Sequence, residues 1–389
     1  MQQKISEQDK LICLSDQTHP FSAINPPICQ TSIFSFATIE DYIAYKDKQN
    51  QAYCYTRGNN PTCQILEHKL AALDQGEQCR VFSSGMGAIA ASLFSILKAG
   101  DHVVVLNTVY GPALDYLKFM AKYGISFEVM HALDINELSH SIAKNTRLIY
   151  TESPATMTFE MLDLCALAKF AKSRGILTMI DNTCLSPLLQ KPLTLGIDIA
   201  VYSLSKYTGG HSDVIAGAVV SSQQLMGVID KYGYKLSGAV LSPHDAFLLL
   251  RGLRTLPIRL ESLAVTTTQV IKYLVQHPQI KAVYHPLTYT SAQQALYLQQ
   301  ASGFGGLFSI QLTTNKTSEI RQFINSLKTF HIAVSWGGFE SLVMVQNINE
   351  LRQDTSEKVV IRLSLGLLDA SSIIHDLEQA LHSIGACHA

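Results

Sequence analysis

At 389 residues, with 30 Lys and Arg against 31 Asp and Glu and a formal net charge of -1, the chain is long enough for two or more cores at about 100–200 residues per domain. It has no basic excess suited to a phosphate backbone, which argues against a nucleic-acid partner. No stretch approaches the roughly 18 apolar residues of a membrane span, and MQQKISEQDKLICLSDQTHP lacks an apolar leader, so the expectation is a cytoplasmic protein with no membrane partner.

Residues 1–60 are polar and punctuated by Pro and Asn, which predicts an extended arm reaching a neighbouring subunit. The 8 cysteines lack C-x-x-C spacing and the 13 histidines lack H-E-x-x-H, so reduced thiols and no metal site are expected. From 61, PTCQILEHKLAALDQG spaces Ile65, Leu66, Leu70 and Leu73 on one helical face closed by Gly76. Short β-branched runs then alternate with helical stretches: CRVFSSGMGAIAASLFSILKAGD, HVVVLNTVYGPALDYLKFMAKYG, TRLIYTESP, GILTMIDNT and IDIAVYSLSKY. That alternation is built from βαβ units and predicts an α/β domain over 61–235, a mostly parallel central sheet flanked by helices. Beyond it, SPHDAFLLLRGLRTLPIRLESLAVTTTQVIKYLVQH predicts a long helix broken near Pro257, and a smaller α+β domain completes 236–389.

The ends of the predicted strands carry the chemistry. In VFSSGMGAIAASL, Ser84, Gly85 and Met86 lie between a strand and a helix, where backbone N–H groups and the helix end suit a phosphate. MIDNT leaves Asp181 at the end of an apolar strand, a place that asks for a cationic partner. NTVYGPALDY puts Tyr110 after another strand, and SLSKYTGGHSD sets Lys206 between Ser203, Ser205 and a Gly-Gly turn. Singly, each fits an ordinary turn, cap or rim role. Together, a phosphate cradle, a carboxylate, an aromatic ring and a lysine are the parts that hold pyridoxal phosphate. Lys206 would carry the aldehyde, Asp181 would face the pyridine nitrogen, Tyr110 would stack on the ring, and Ser203 and Ser205 would join the phosphate cradle.

The same residues make the chain resemble the Cys/Met-metabolism pyridoxal-phosphate enzymes. The likeness runs through YCYTRGNNPTCQILEHKLAAL, SSGMGAIAA, VYGP, TESP, IDNT, DIAVYSLSKYTGGHSD, SWGGFESL and IRLSLGLLD, nearly the whole chain. It implies a fold type I pyridoxal-phosphate enzyme in which Tyr55 and Arg57 of one subunit complete the phosphate site of its neighbour. An obligate dimer follows, with a tetramer as a dimer of dimers. It further implies that Arg362 clamps the substrate carboxylate with help from Ser335 and Trp336. The family's lysine motif usually has Thr before the Lys and an aliphatic residue two positions after it, where this chain has Ser205 and Thr208.

Finer features resemble the cystathionine β-lyase branch. Trp336 stands where γ-acting members commonly carry Leu, Pro112 stands where methionine γ-lyases have Cys, and Asp115 is placed as in β-lyases. Thr156 stands where γ-acting members have Asn. The resemblance thus implies β-elimination of L-cystathionine, an amino-acid thioether, to homocysteine, pyruvate and ammonia. Methionine γ-lyase and cystathionine γ-lyase remain alternatives, with a non-catalytic cofactor-binding regulator behind them. A nucleotide-binding dehydrogenase is disfavoured because no strand is followed by G-x-G-x-x-G.

Overall fold

The computed structural model describes residue 12 and residues 22–50, 52–131 and 135–385. The strands are β1 (Gln78–Phe82), β2 (His102–Leu106), β3 (Ser126–Met130), β4 (Thr146–Glu152), β5 (Leu177–Asp181), β6 (Ile199–Ser203) and β7 (Gly217–Ser221), then β8 (Ile280–Tyr284), β9 (Leu307–Leu312), β10 (Phe330–Ile332), β11 (Ser341–Val345) and β12 (Ile361–Ser364). The first seven form one sheet in the order β1-β7-β6-β5-β4-β2-β3. β3, β2, β4, β5 and β6 pair in parallel. β7 runs against both β6 and β1, so β1 shares the common direction. Helices cover both faces, and the strands alternate between two cores. Val104, Ile149, Ile180 and Ala200 enter one; Val103, Leu148, Met179 and Ile199 enter the other. Burial on both faces is why these segments read as unbroken apolar runs.

The long helix Pro243–Leu274 leads to a second sheet, β10-β11-β12-β9-β8, which packs with the helix Ala370–Gly385 around a third core. This helix runs through Pro257, contrary to the predicted break. Proline removes one N–H, but Leu249, Leu253, Leu256, Leu260 and Leu263 continue one buried stripe across it. The bond lost is the one residue 257 would donate to the Leu253 carbonyl, and burial of this stripe on both sides of the proline offsets it.

The predicted arm is not extended throughout. It holds the helix Ile39–Lys46, started by a capping box in which Thr38 Oγ1 accepts from the Asp41 N–H and Asp41 Oδ2 from the Thr38 N–H. None of that helix's residues is buried within the chain. Most of residues 1–21 lies outside the described residues.

Candidate active site

Because β1, β2, β4, β5 and β6 run the same way, their carboxyl ends meet along one edge, the place where open α/β sheets bind ligands. β1 leads to Ser84, which caps the helix Gly85–Ile96 by accepting the Gly87 N–H on Oγ at 2.9 Å. Gly217, opening β7, lets the strand close on this turn, since a Cβ there would stand 2.2 Å from the Ser84 carbonyl oxygen. β2 leads to Tyr110, a residue 47% exposed at the start of the helix Gly111–Met120. β5 ends in Asp181, which accepts from the Thr183 N–H at 3.0 Å and the Thr183 hydroxyl at 2.5 Å. β6 ends in Ser203, with Lys206 on the turn beyond.

Lys206 meets the second sheet. Its Nζ lies 2.5 Å from Ser335 Oγ and 5.6 Å from the centre of the Trp336 ring. Arg362, on the inner strand β12, donates from Nη2 to the Ser335 carbonyl at 2.7 Å. Trp336 packs edge-on against buried Tyr207, the neighbour of Lys206. Ser335 has φ +81° and Gly337 φ +85°, and a Cβ on Gly337 would stand 3.0 Å from the Tyr207 nitrogen and 3.2 Å from the Lys206 Cα. The loop therefore rests directly on the lysine's backbone.

Burial and the Arg362 guanidinium push Lys206 down to about 8, with Asp181 opposing them. Burial also lowers Arg362. Asp181 is raised by burial, against the pull of its Thr183 donors and Lys206. A lysine lowered in this way gives up its proton more readily than an ordinary one.

The structure thus brings Lys206, Asp181, Ser335, Trp336 and Arg362 into one electrostatic cluster. Ser205 Oγ accepts the Ala216 N–H at 2.9 Å and donates to the Ala216 carbonyl at 3.3 Å. Asp115 is exposed and pairs with Lys118 at 2.8 Å. Met86 packs partly buried against the sheet. Arg57 stacks on the half-exposed Tyr55 ring at 5.1 Å, in the segment bridged to Ile33. Sequence reasoning passed over Glu152, a buried carboxylate in register with Asp181. Its signal was present: an acidic residue closing an apolar strand, as at Asp181.

These residues fit pyridoxal phosphate. A capped helix start with a glycine-cleared approach suits the phosphate, a half-buried carboxylate suits the ring nitrogen, and a depressed lysine suits the aldehyde.

Known proteins give the same picture. The family model for Cys/Met metabolism PLP-dependent enzymes matches residues 10–382. An L-methionine gamma-lyase of Fusobacterium nucleatum subsp. polymorphum is 37% identical over 375 residues, 94% of this chain and 95% of the relative. A cystathionine beta-lyase of Bacillus subtilis (strain 168) is 35% identical over 376 residues, 93% of this chain and 92% of the relative. A crystal structure of cystathionine gamma synthase from Xanthomonas oryzae pv. oryzae, in complex with aminoacrylate and cysteine, superposes with a TM-score of 0.87 at 32% identity, covering 97% of this chain and 98% of that one. With a fold type I architecture and a lysine at the strand ends, the chain belongs to the Cys/Met metabolism PLP-dependent enzymes, is a carbon–sulfur lyase of that family, and uses pyridoxal phosphate.

Proposed function

We propose that this enzyme cleaves the Cβ–S bond of L-cystathionine, releasing homocysteine and aminoacrylate, which one water hydrolyses to pyruvate and ammonia. The observation that carries the reading is the seat of Lys206, a depressed amine held between Ser335 and the Trp336 ring, with Arg362 behind. Pyridoxal phosphate, when bound, supplies the electron sink that makes loss of the substrate's Cα proton feasible. Lys206 takes that proton as general base and returns it to the departing sulfur. Arg362 offers its guanidinium fork to the α-carboxylate. Asp181 would face the ring nitrogen and the Tyr110 ring would stack on the cofactor. Ser84, Gly85, Met86 and Ser203 would hold the phosphate, and Ser205 braces the lysine turn through Ala216.

The preference for Cβ rests on Trp336, Pro112, Asp115 and Thr156. The 37% identity to an L-methionine gamma-lyase favours a second reading, Cγ–S cleavage of methionine. Incubation with L-methionine separates them: no methanethiol is the expected result, and rapid release of methanethiol with 2-oxobutyrate would replace the first reading by the second. We further infer an arm over 1–60 whose Tyr55 and Arg57 complete the phosphate site of a second copy, a cofactor domain over 61–235 and a C-terminal domain over 236–389. The dimer would assemble into a tetramer in the cytoplasm. Among the described residues no helix is long and apolar enough to cross a membrane.

A further inference from the structure

The end of β4 holds a group that the proposed reaction does not use. Glu152 is 8% exposed and lies directly beside Asp181 in the β4–β5 register. Its Oε1 accepts the backbone N–H of Tyr110 at 2.6 Å, and its Oε2 meets the Thr156 hydroxyl at 2.6 Å. The Thr156 N–H in turn bonds the Thr108 carbonyl at 3.0 Å. Two loops, 107–110 and 153–156, are thereby laced together through one carboxyl group.

We propose that Glu152 is a positioning residue that sets the Tyr110 ring over the site by holding the Tyr110 backbone N–H. The consequence for catalysis rests on the reading of Lys206 and Tyr110 as cofactor residues; the hold on Tyr110 does not. The Tyr110 backbone N–H is donated to Glu152 Oε1 at 2.6 Å, and such a group is costly to bury unpaired.

The proton's place between Glu152 and Asp181 follows from the neighbours. Asp181 receives two Thr183 hydrogen bonds and the field of Lys206. Glu152 faces Asp181 from β5, Tyr150 from its own strand and Cys184 from the turn after β5, none of them cationic. Burial, then Asp181, raises it, against the pull of its Thr156 and Tyr110 donors. Two adjacent carboxyl groups do not both ionise readily, and the one with the cation keeps the charge. The Thr156 hydroxyl donates to Glu152 Oε2; glutamine keeps the Tyr110 contact through its carbonyl, and its NH2 group meets Thr156 Oγ1 once that hydroxyl rotates to accept.

The test is hydrogen exchange at the Tyr110 amide in the cofactor-free full chain, for wild type, Glu152→Gln and Glu152→Ala, beside kcat and KM of the cofactor-loaded forms on L-cystathionine. Glu152→Gln is expected to stay within about threefold of wild type in exchange. Glu152→Ala should exchange at least about tenfold faster and lose about 10- to 100-fold in kcat/KM, the scale of a displaced site group. Exchange in Glu152→Gln as fast as in Glu152→Ala, or no acceleration in Glu152→Ala, overturns the proposal. Should Glu152→Ala not fold, Glu152→Gln decides alone: wild-type protection supports the proposal and lost protection overturns it. Intact protection with no turnover of L-cystathionine by wild type would refute the proposed reaction and leave the hold on Tyr110 standing.

Discussion

Replacing Gly337 by alanine tests how tightly the lysine depends on the loop above it. At φ +85°, an L side chain costs about 1–2 kcal/mol in backbone strain. The new Cβ would also meet the Tyr207 nitrogen at 3.0 Å and the Lys206 carbonyl carbon and Cα at 3.2 Å. These are backbone atoms and cannot swing aside as a flexible side chain would, so the loop must lift by a few tenths of an ångström. Strain and overpacking together predict a loss of about 2–3 kcal/mol. The lift falls on Ser335, two residues away, whose Oγ sits 2.5 Å from Lys206 and whose carbonyl holds Arg362. Urea unfolding should therefore show the stability loss, and KM for the amino-acid substrate should rise because its carboxylate clamp is displaced. Gly227→Ala is the control: nothing lies within 4 Å of its Cβ position and it sits inside the helix Gln223–Val228. It should gain about 0.5–1 kcal/mol. A Gly337→Ala protein with wild-type stability and KM would refute the dependence of the lysine site on this loop.

Lys206→Met should abolish turnover yet stabilise the cofactor-free protein at pH 7. Lys206 lies near 8 in the fold against an ordinary 10.5, so between those values the unfolded chain holds a proton the folded chain lacks, and wild-type stability rises with pH across that window. Below it the buried charge penalises the fold, and removing it should gain about 1–2 kcal/mol after allowance for partial solvent screening; a less stable variant in calorimetry at pH 7 contradicts this. Asp74, fully buried near Tyr202 and Lys191, is raised by burial to about 8. Its contribution to stability is complete below about pH 4 and is lost as pH rises towards 8. Urea unfolding at pH 5 and pH 9 should show a smaller drop for Asp74→Asn than for wild type, and equal drops would refute the assignment.

The order of strands and helices was legible where both faces of the sheet are buried. β2, β4, β5 and β6 read as apolar runs because the fold leaves them no solvent side. β3 was not anticipated: it is an edge strand, Ser126–Met130, with largely exposed side chains. β7 was missed too, since GAVVS is short and follows the lysine turn without a helix between. The helix through Pro257 went the other way, a local rule outweighed by an apolar stripe continuing on both sides. Strand-end residues such as Asp181 and Lys206 stand out in sequence because polar groups interrupt apolar runs there. Ser335 meets Lys206 across 129 positions, a contact that local pattern does not encode and that only the family likeness pointed to. Glu152 is an intermediate case: its place at a strand end was readable, but its register with Asp181 and its bond to Tyr110 depend on how three strands line up.

The most direct measurement is to incubate the purified, cofactor-loaded enzyme with L-cystathionine and identify the oxo acid and the thiol released. Pyruvate with homocysteine is the predicted result and places the cleavage at Cβ. 2-Oxobutyrate with cysteine would contradict the proposed reaction, placing the cleavage at Cγ.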